Sequence, residues 1–367
     1  MKKNPMHQAL SIILRNTGRN LQILKYGLIE HGWLRMTDLD HEVKVFVGDH
    51  GAEPLLVDVS LLLKVADLPA AIDAAQIIKV EDFPKEIIED CREVEISSKA
   101  LDGLSDLLPA IAADDSRGCL KCVFVNRKKK EAVATDGHVL LMKKLITAPK
   151  ESFMIDATSL KIANCFSGNV TGFTIRHREE VKGADRVVTT TAADFLTLSG
   201  DGWQLISRVP VASEYPMYWK AIPDRSKADV VIWDRGLIAE INSFLEKSKP
   251  LTNPKTRMIH LTAGEGVVKN DTLSYFRKTE FGRDILPLKS EQVIGLNCEI
   301  LQTILKFVGG RSVSVSVGEK MIYAMVFQGE NFLALLMPLR TGEYGDVGIS
   351  REELLKNEDR GELKKAA

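Results

Sequence analysis

Phe153-Met-Ile-Asp156 runs into Thr158 to Cys165 as a short apolar strand, one acidic residue and an amphipathic helix. Asp156 sits where a side-chain oxygen can accept from the free amides of a first helical turn, so it is a candidate N-cap. The same succession occurs twice more. Leu55-Leu-Val-Asp58 precedes Ser60 to Ala66, and Ile294-Gly-Leu-Asn297 precedes Cys298 to Val308, with Asp58 and Asn297 in the capping place. Three copies at wide spacing make an internal repeat the first thing to test.

Working outward, a second pattern lies upstream of each copy. Ile23 to Leu28 and Trp33 to Met36 are strand-like and end at Thr37-Asp38. Leu120 to Val125 and Ala132 to Ala134 end at Thr135-Asp136. Arg257 to Leu261 and Gly266 to Lys269 end at Asn270-Asp271. A helix is expected before each pair, over His7 to Arg15, Ser98 to Ala112 and Arg235 to Lys247. Strands at Glu93 to Ile96 and Val230 to Trp233 should lead into the second and third of these helices, with Ser97 or Ser98 and Asp234 as caps. Each unit closes on an aromatic-or-Met–Pro pair: Phe83-Pro84, Tyr215-Pro216 and Met337-Pro338.

The order helix, strands, strand, helix, strands thus recurs three times and defines a triplicated α+β chain. The boundaries fall at 1–90, 91–223 and 224–345, with a tail over 346–367. The copies differ in length. After the second helix, the central unit has strand-like runs at Phe173 to His177, Val187 to Thr191, Phe195 to Leu198 and Trp203 to Val209. The third has Val313 to Val317, Ile322 to Phe327 and Phe332 to Met337. The first has only Gln76 to Val80, so it is shortened and lacks a hairpin. In the tail, Ser350-Arg-Glu-Glu353 has the form of a capping box ahead of Leu354 and Leu355. It is open to two readings, a solvated tail or a short helix near a binding site.

Composition narrows the chemistry. At 367 residues, 45% hydrophobic and 27% charged, the chain is expected to fold as two or three soluble domains. Its apolar runs are far shorter than the ~20 residues that span a bilayer. The segment Ala9 to Leu14 is too short for a secretory signal, so a cytoplasmic protein is expected. Five scattered cysteines argue against a disulfide framework. Cys119-Leu-Lys-Cys122 is a C-x-x-C without the second pair a zinc site would want. No H-E-x-x-H, P-loop or G-x-S-x-G motif is present, so neither catalysis nor a cofactor is expected. Asp136 with His138 is the remaining acid–base candidate. Net charge is −1, so any nucleic-acid contact must come from uneven placement of charge.

Three tandem α+β units in this order resemble the beta sliding clamp of bacterial DNA polymerase III. Ala134-Thr-Asp-Gly-His138, Ile294-Gly-Leu-Asn297, Leu336-Met-Pro-Leu-Arg340, and Gly18-Arg19 with Ile23-Leu24 and Thr37-Asp38-Leu39 carry the resemblance, which covers Lys2 to Arg340. It implies DNA-clamp domains, each with two inner helices and outer antiparallel sheets, in a homodimeric ring around duplex DNA. Inner cations would meet phosphates without reading bases; the candidates are Arg15, Arg19, Lys64, Arg117, Lys161 and Lys306. It also implies a pocket where polymerase, clamp loader and other partners insert an apolar peptide. Carried over residue by residue, that pocket comprises Leu120, Thr135, Gly137, Leu140, Pro216, Lys220, Ala221, Asn297, Ile300, Met321, Leu335, Met337, Pro338, Leu339 and Arg340. Each cation could instead be a solvated surface charge, and the leucines ordinary core. The shortened first unit leaves a second reading open, a monomeric clamp-like adaptor or decoy that binds partner peptides without encircling DNA.

Overall fold

The computed structural model describes residues 4–17, 21–51, 53–65, 68–75, 79–84, 92–113, 118–166, 170–177, 193–224, 228–270, 275–288, 293–317 and 324–339. The elements run in chain order as α1 (Pro5–Asn16), β1 (Tyr26–Glu30), β2 (Trp33–Thr37), β3 (His41–Phe46), β4 (Leu55–Asp58), α2 (Val59–Val65), α3 (Leu68–Ala75) and β5 (Arg92–Glu95). There follow β6 (Cys122–Asn126), β7 (Glu131–Thr135), β8 (Val139–Lys144), β9 (Phe153–Asp156), α4 (Ala157–Cys165), β10 (Gly172–His177), β11 (Ala193–Gly200) and β12 (Trp203–Pro210). The last third has β13 (Val231–Trp233), α5 (Arg235–Ser248), β14 (Met258–Leu261), β15 (Glu265–Asn270), β16 (Tyr275–Glu280) and β17 (Ile294–Asn297). It closes with α6 (Cys298–Val308), β18 (Val313–Val317), β19 (Met325–Gln328) and β20 (Phe332–Leu336). The content is α+β, and every strand pairing recorded among the described residues is antiparallel.

Two compact units result: residues 1–132 with 145–215, and residues 133–144 with 216–367. The first holds one continuous sheet in the order β4-β1-β2-β3-β12-β11-β10-β5. Its strands alternate because one face is dry: Leu34, Met36, Val43 and Val45 are buried, whereas Arg35 and Lys44 between them keep part of their side chains in solvent. Helix α1 packs on β2 and β3, and its Ala9, Leu10 and Ile13 are fully buried. Helix α4 packs on α1 and on β12. Trp203 of β12 is closed over by Phe166, stacked at 4.4 Å between ring centroids.

In the second unit β13, β18, β19, β20 and β8 lie side by side, and β16-β15-β14-β17 form a four-stranded sheet. Helices α5 and α6 pack together and bury Leu237, Ile241, Phe244 and Leu245 from one, Leu301, Ile304, Leu305 and Val308 from the other. Gly266 of β15 permits that packing, since a Cβ there would stand 2.7 Å from the Phe244 ring. Trp233 is anchored by its indole N–H, which donates to the Ile285 carbonyl at 2.6 Å.

Four expectations change. Ser98 to Ala112 is not a helix of the α type but two tighter turns, Ser98–Leu101 and Leu104–Ala110. Gly103, at φ 69°, breaks the run, and Pro109 removes an amide inside the second turn. Ile23 lies in a turn, Gln22–Lys25, ahead of β1. Cys119 lies in another, Gly118–Lys121, so only Cys122 of that pair is on a strand. In the first third, Ala74 and Ala75 end helix α3 and Val80 opens a short turn; Gln76 to Ile78 lie outside the described residues. There Leu28, Leu56, Ala75 and Phe83 form a small local core.

Candidate functional site

In the second unit the Thr135 turn joins β7 to β8 through side-chain bonds. The Thr135 hydroxyl donates to the Val139 carbonyl at 2.6 Å and accepts from the Gly137 amide at 3.1 Å. Asp136 Oδ1 accepts from the amides of His138 and Val139, at 2.7 and 2.9 Å. Gly137 takes φ 94°, a left-handed value that costs glycine little. Asp136 and His138 are thus accounted for by turn geometry. The chain leaving β20 crosses this turn: the Met337 amide donates to the His138 carbonyl at 2.9 Å, and the Leu339 amide to the Gly295 carbonyl at 2.9 Å. Two residues beyond Gly295, Asn297 caps α6 by accepting from Glu299 and Ile300, while its Nδ2 donates to the Thr256 carbonyl.

These bonds bring Thr135, Gly137, Asn297, Ile300, Met337, Pro338 and Leu339 into one neighbourhood. Met337 is 37% exposed there, and Pro338, Leu339 and Ile300 are half-buried. Leu140 and Leu335 are buried register partners of β8 and β20; they underlie this surface as core. Pro216, Lys220 and Ala221 are exposed on and beside the short turn Tyr218–Ala221. Two neighbours that sequence reasoning missed are the more prominent: Met217 at 55% and Trp219 at 41% exposure. The run Pro216-Met-Tyr-Trp219, with Met and Trp close behind a proline, was the available signal. Leu120 belongs to the first unit, buried in the turn Gly118–Lys121. Met321, Arg340 and the tail 346–367 lie outside the described residues.

Of the cations, Arg15, Lys64 and Lys306 occupy the last turns of α1, α2 and α6, and Lys161 the middle of α4; all four are exposed. The first three also complement a helix C-terminus, which gives them a purely structural role as well. Arg19 and Arg117 lie outside the described residues.

A turn of the same design occurs in the first unit between β2 and β3. The Thr37 hydroxyl donates to the His41 carbonyl at 2.8 Å and accepts from the Leu39 amide at 2.9 Å. Asp38 Oδ1 accepts from the amides of Asp40 and His41. Leu39 takes φ 81°, and the Arg208 amide at the end of β12 donates to the Asp40 carbonyl at 2.7 Å. Here, however, His41 stands where the other turn has Val139. Its Nδ1 is 3.0 Å from Asp38 and its Nε2 3.0 Å from Asp156, the N-cap of α4. Burial by itself would lower the imidazole pKa, but the hydrogen bonds to Asp156 and Asp38 outweigh it and carry it up to about 10. Burial raises the Asp156 carboxyl; the bond and charge of His41, with the Ser159 hydroxyl and amide, hold it below the usual range. The group borders an open cleft of about 860 Å³, also lined by Asn16, Lys121, Lys161 and Arg208.

No protein-family model matches the chain, and no curated protein matches its sequence. Its fold does match solved structures. The DnaN sliding clamp (DNA polymerase III subunit beta) of Bartonella birtlesii bound to griselimycin aligns with TM-score 0.69 at 20% identity, over 92% of this chain and 97% of that one. The DNA polymerase III subunit beta of Pseudomonas aeruginosa aligns with TM-score 0.67 at 18% identity, over 92% and 98%. The Helicobacter pylori beta clamp bound to DNA ligase peptide aligns with TM-score 0.64 at 14% identity, over the same shares. The chain has the fold of the DNA sliding clamps. Its sequence is far diverged from theirs.

Proposed function

We propose that this chain is a DNA sliding clamp, a processivity factor without catalytic chemistry or cofactor, which encircles duplex DNA as a homodimer and tethers a polymerase and other partners. The observation that carries this reading is the surface of Met337, Pro338 and Leu339, fixed across the Thr135 turn in a chain of clamp fold. An apolar peptide would seat against Met337 and Ile300, with Met217 and Trp219 as further anchors, because exposed Met and Trp give large contact area to varied ligands. The Helicobacter pylori clamp is solved with a DNA ligase peptide, and such peptides are the proposed ligand class here. Duplex DNA would be held by Arg15, Lys64, Lys161 and Lys306, with Arg19 and Arg117, through phosphates alone, giving sequence-independent, salt-sensitive binding. A location in the cytoplasm follows from that role. Among the described residues no helix is long and apolar enough to cross a membrane.

One observation favours the second reading, a monomeric adaptor or decoy. Among the described residues, the first ninety supply four strands, β1 to β4, with Ala75 of α3 and Phe83 packed on Leu28 and Leu56. Retention on nicked circular DNA separates the two. An encircling clamp stays on the circle and runs off once the circle is linearised, whereas an adaptor shows no difference. Sedimentation as a pure monomer at micromolar concentration would count against the ring.

A further inference from the structure

We infer that His41 is a positioning residue, a positively charged pin bonded through both ring nitrogens, which fixes α4 and the end of α1 against the Asp38 turn and so sets Lys161 and Arg15. The bearing on DNA rests on the proposed clamp function; the pin itself does not.

The charge follows from donor and acceptor counting. Both ring nitrogens lie 3.0 Å from carboxylate oxygens. An ionised carboxylate only accepts, so a ring bonded at both nitrogens to two ionised carboxylates must be the imidazolium. Both carboxylates accept from several other donors. Asp156 accepts from the amides of Thr158 and Ser159 and from the Ser159 hydroxyl. Asp38 accepts from the amides of Asp40 and His41. Other charged groups lining the cleft are Asp40, Lys121, Lys161, Arg208 and Glu214.

The pin reaches both helices through short paths. Asp156 is the cap of α4, so holding its carboxylate holds the first turn of that helix. With its proton given to Asp156, Ser159 Oγ accepts from the Ser207 hydroxyl at 2.6 Å, tying the same turn to β12. Thr158, whose amide Asp156 binds, accepts from Asn16 Nδ2 at the end of α1 at 3.2 Å. Arg15 and Lys161 are therefore carried by helices whose ends meet at this network. In the second unit the matching places hold Val139 and Asn297, which can form no such ion pair.

Asp156→Asn copies Asn297: it keeps a capping oxygen and removes one charge. In the wild-type chain, nitrogen NMR of the imidazole should show both ring nitrogens of His41 protonated at pH 8. In the variant the His41 titration midpoint should fall by about 1–3 units, and retention on nicked circular DNA should be lost severalfold faster as salt rises. Binding of a DNA ligase peptide should stay unchanged, since Asp156 has no part in that site. Should Asp156→Asn fail to fold, Asp38→Asn serves the same comparison. A wild-type His41 neutral at pH 8, or a lowered midpoint with unaltered DNA retention, overturns the inference. If the wild-type chain is itself not retained on the circle, the clamp reading fails instead, and the NMR result alone decides the pin.

Discussion

The Thr37 and Thr135 turns share a backbone plan and differ in how they are held. Each has a threonine hydroxyl closing the turn, an aspartate accepting two amides, and a left-handed third residue. Each is crossed by an amide from a later strand, Arg208 in one case and Met337 in the other. The first is locked by an ion pair from His41 to Asp156. The second has a capping amide, Asn297, and an apolar surface ending in exposed Met337. One local design has thus been spent on rigidity in one unit and on an open apolar surface in the other.

The largest expected effect comes from breaking the pin. His41→Val installs the residue of the other turn and leaves Asp38 and Asp156 without their shared cation. A buried pair that loses one partner costs about 3–5 kcal/mol, read as a lower denaturant midpoint at pH 6. The pH dependence has a definite sign. The folded pKa of His41 is raised above 6.5, to about 10, so its contribution is complete below pH 6.5, shrinks as pH rises, and is gone above about 10. Asp156 is lowered from 3.8, so its contribution is present above pH 3.8 and lost as pH falls through the lowered value. The gap between wild type and variant should close at alkaline pH; a gap that stays constant to pH 10.5 would break the comparison.

The next effect belongs to the other turn and to binding. Met337→Ala and Trp219→Ala should each weaken a DNA ligase peptide by at least about tenfold, the 1–2 kcal/mol typical of an interface anchor. Both side chains are partly exposed, so unfolding midpoints should hardly move. Calorimetric titration gives the affinity, and unchanged affinity in both variants removes this surface from the site. A smaller effect is expected from Asn297→Ala, which removes the α6 cap and should cost about 1 kcal/mol of stability.

Much of this was legible in the sequence, for reasons that can be named. Asp156 and Asn297 announce themselves as caps because a polar residue between a strand-like run and an amphipathic run has few other uses. Strand β3 was not among the expected elements, although Val43 and Val45 alternate with Lys44. Helix α3 was not expected either; Pro69 in its first turn with alanines after it was the signal left unread. The His41 bridge was not legible. It joins residues 115 positions apart, and no spacing rule links a strand-initial histidine to a distant helix cap. The pocket was only half legible, because hydrophobic pattern does not separate buried Leu335 from exposed Met337 two residues on. That distinction arises where β20 ends and the chain turns across His138.

The smallest effect is the sharpest test of the equivalence. Leu39 and Gly137 occupy the same place in their turns, at φ 81° and 94°. A side chain with a Cβ is strained in that region by roughly 1–2 kcal/mol, and Leu39 is 48% exposed, so its packing offsets little. Leu39→Gly relieves the strain but adds freedom to the unfolded chain. The net expectation is a stabilisation of about 0.5–1 kcal/mol, with Gly137→Ala destabilising by a similar amount, both read from denaturant midpoints. A Leu39→Gly variant less stable than wild type would mean that Leu39 makes contacts that Gly137 has no counterpart for, and the two turns would then share hydrogen bonds but not a common design.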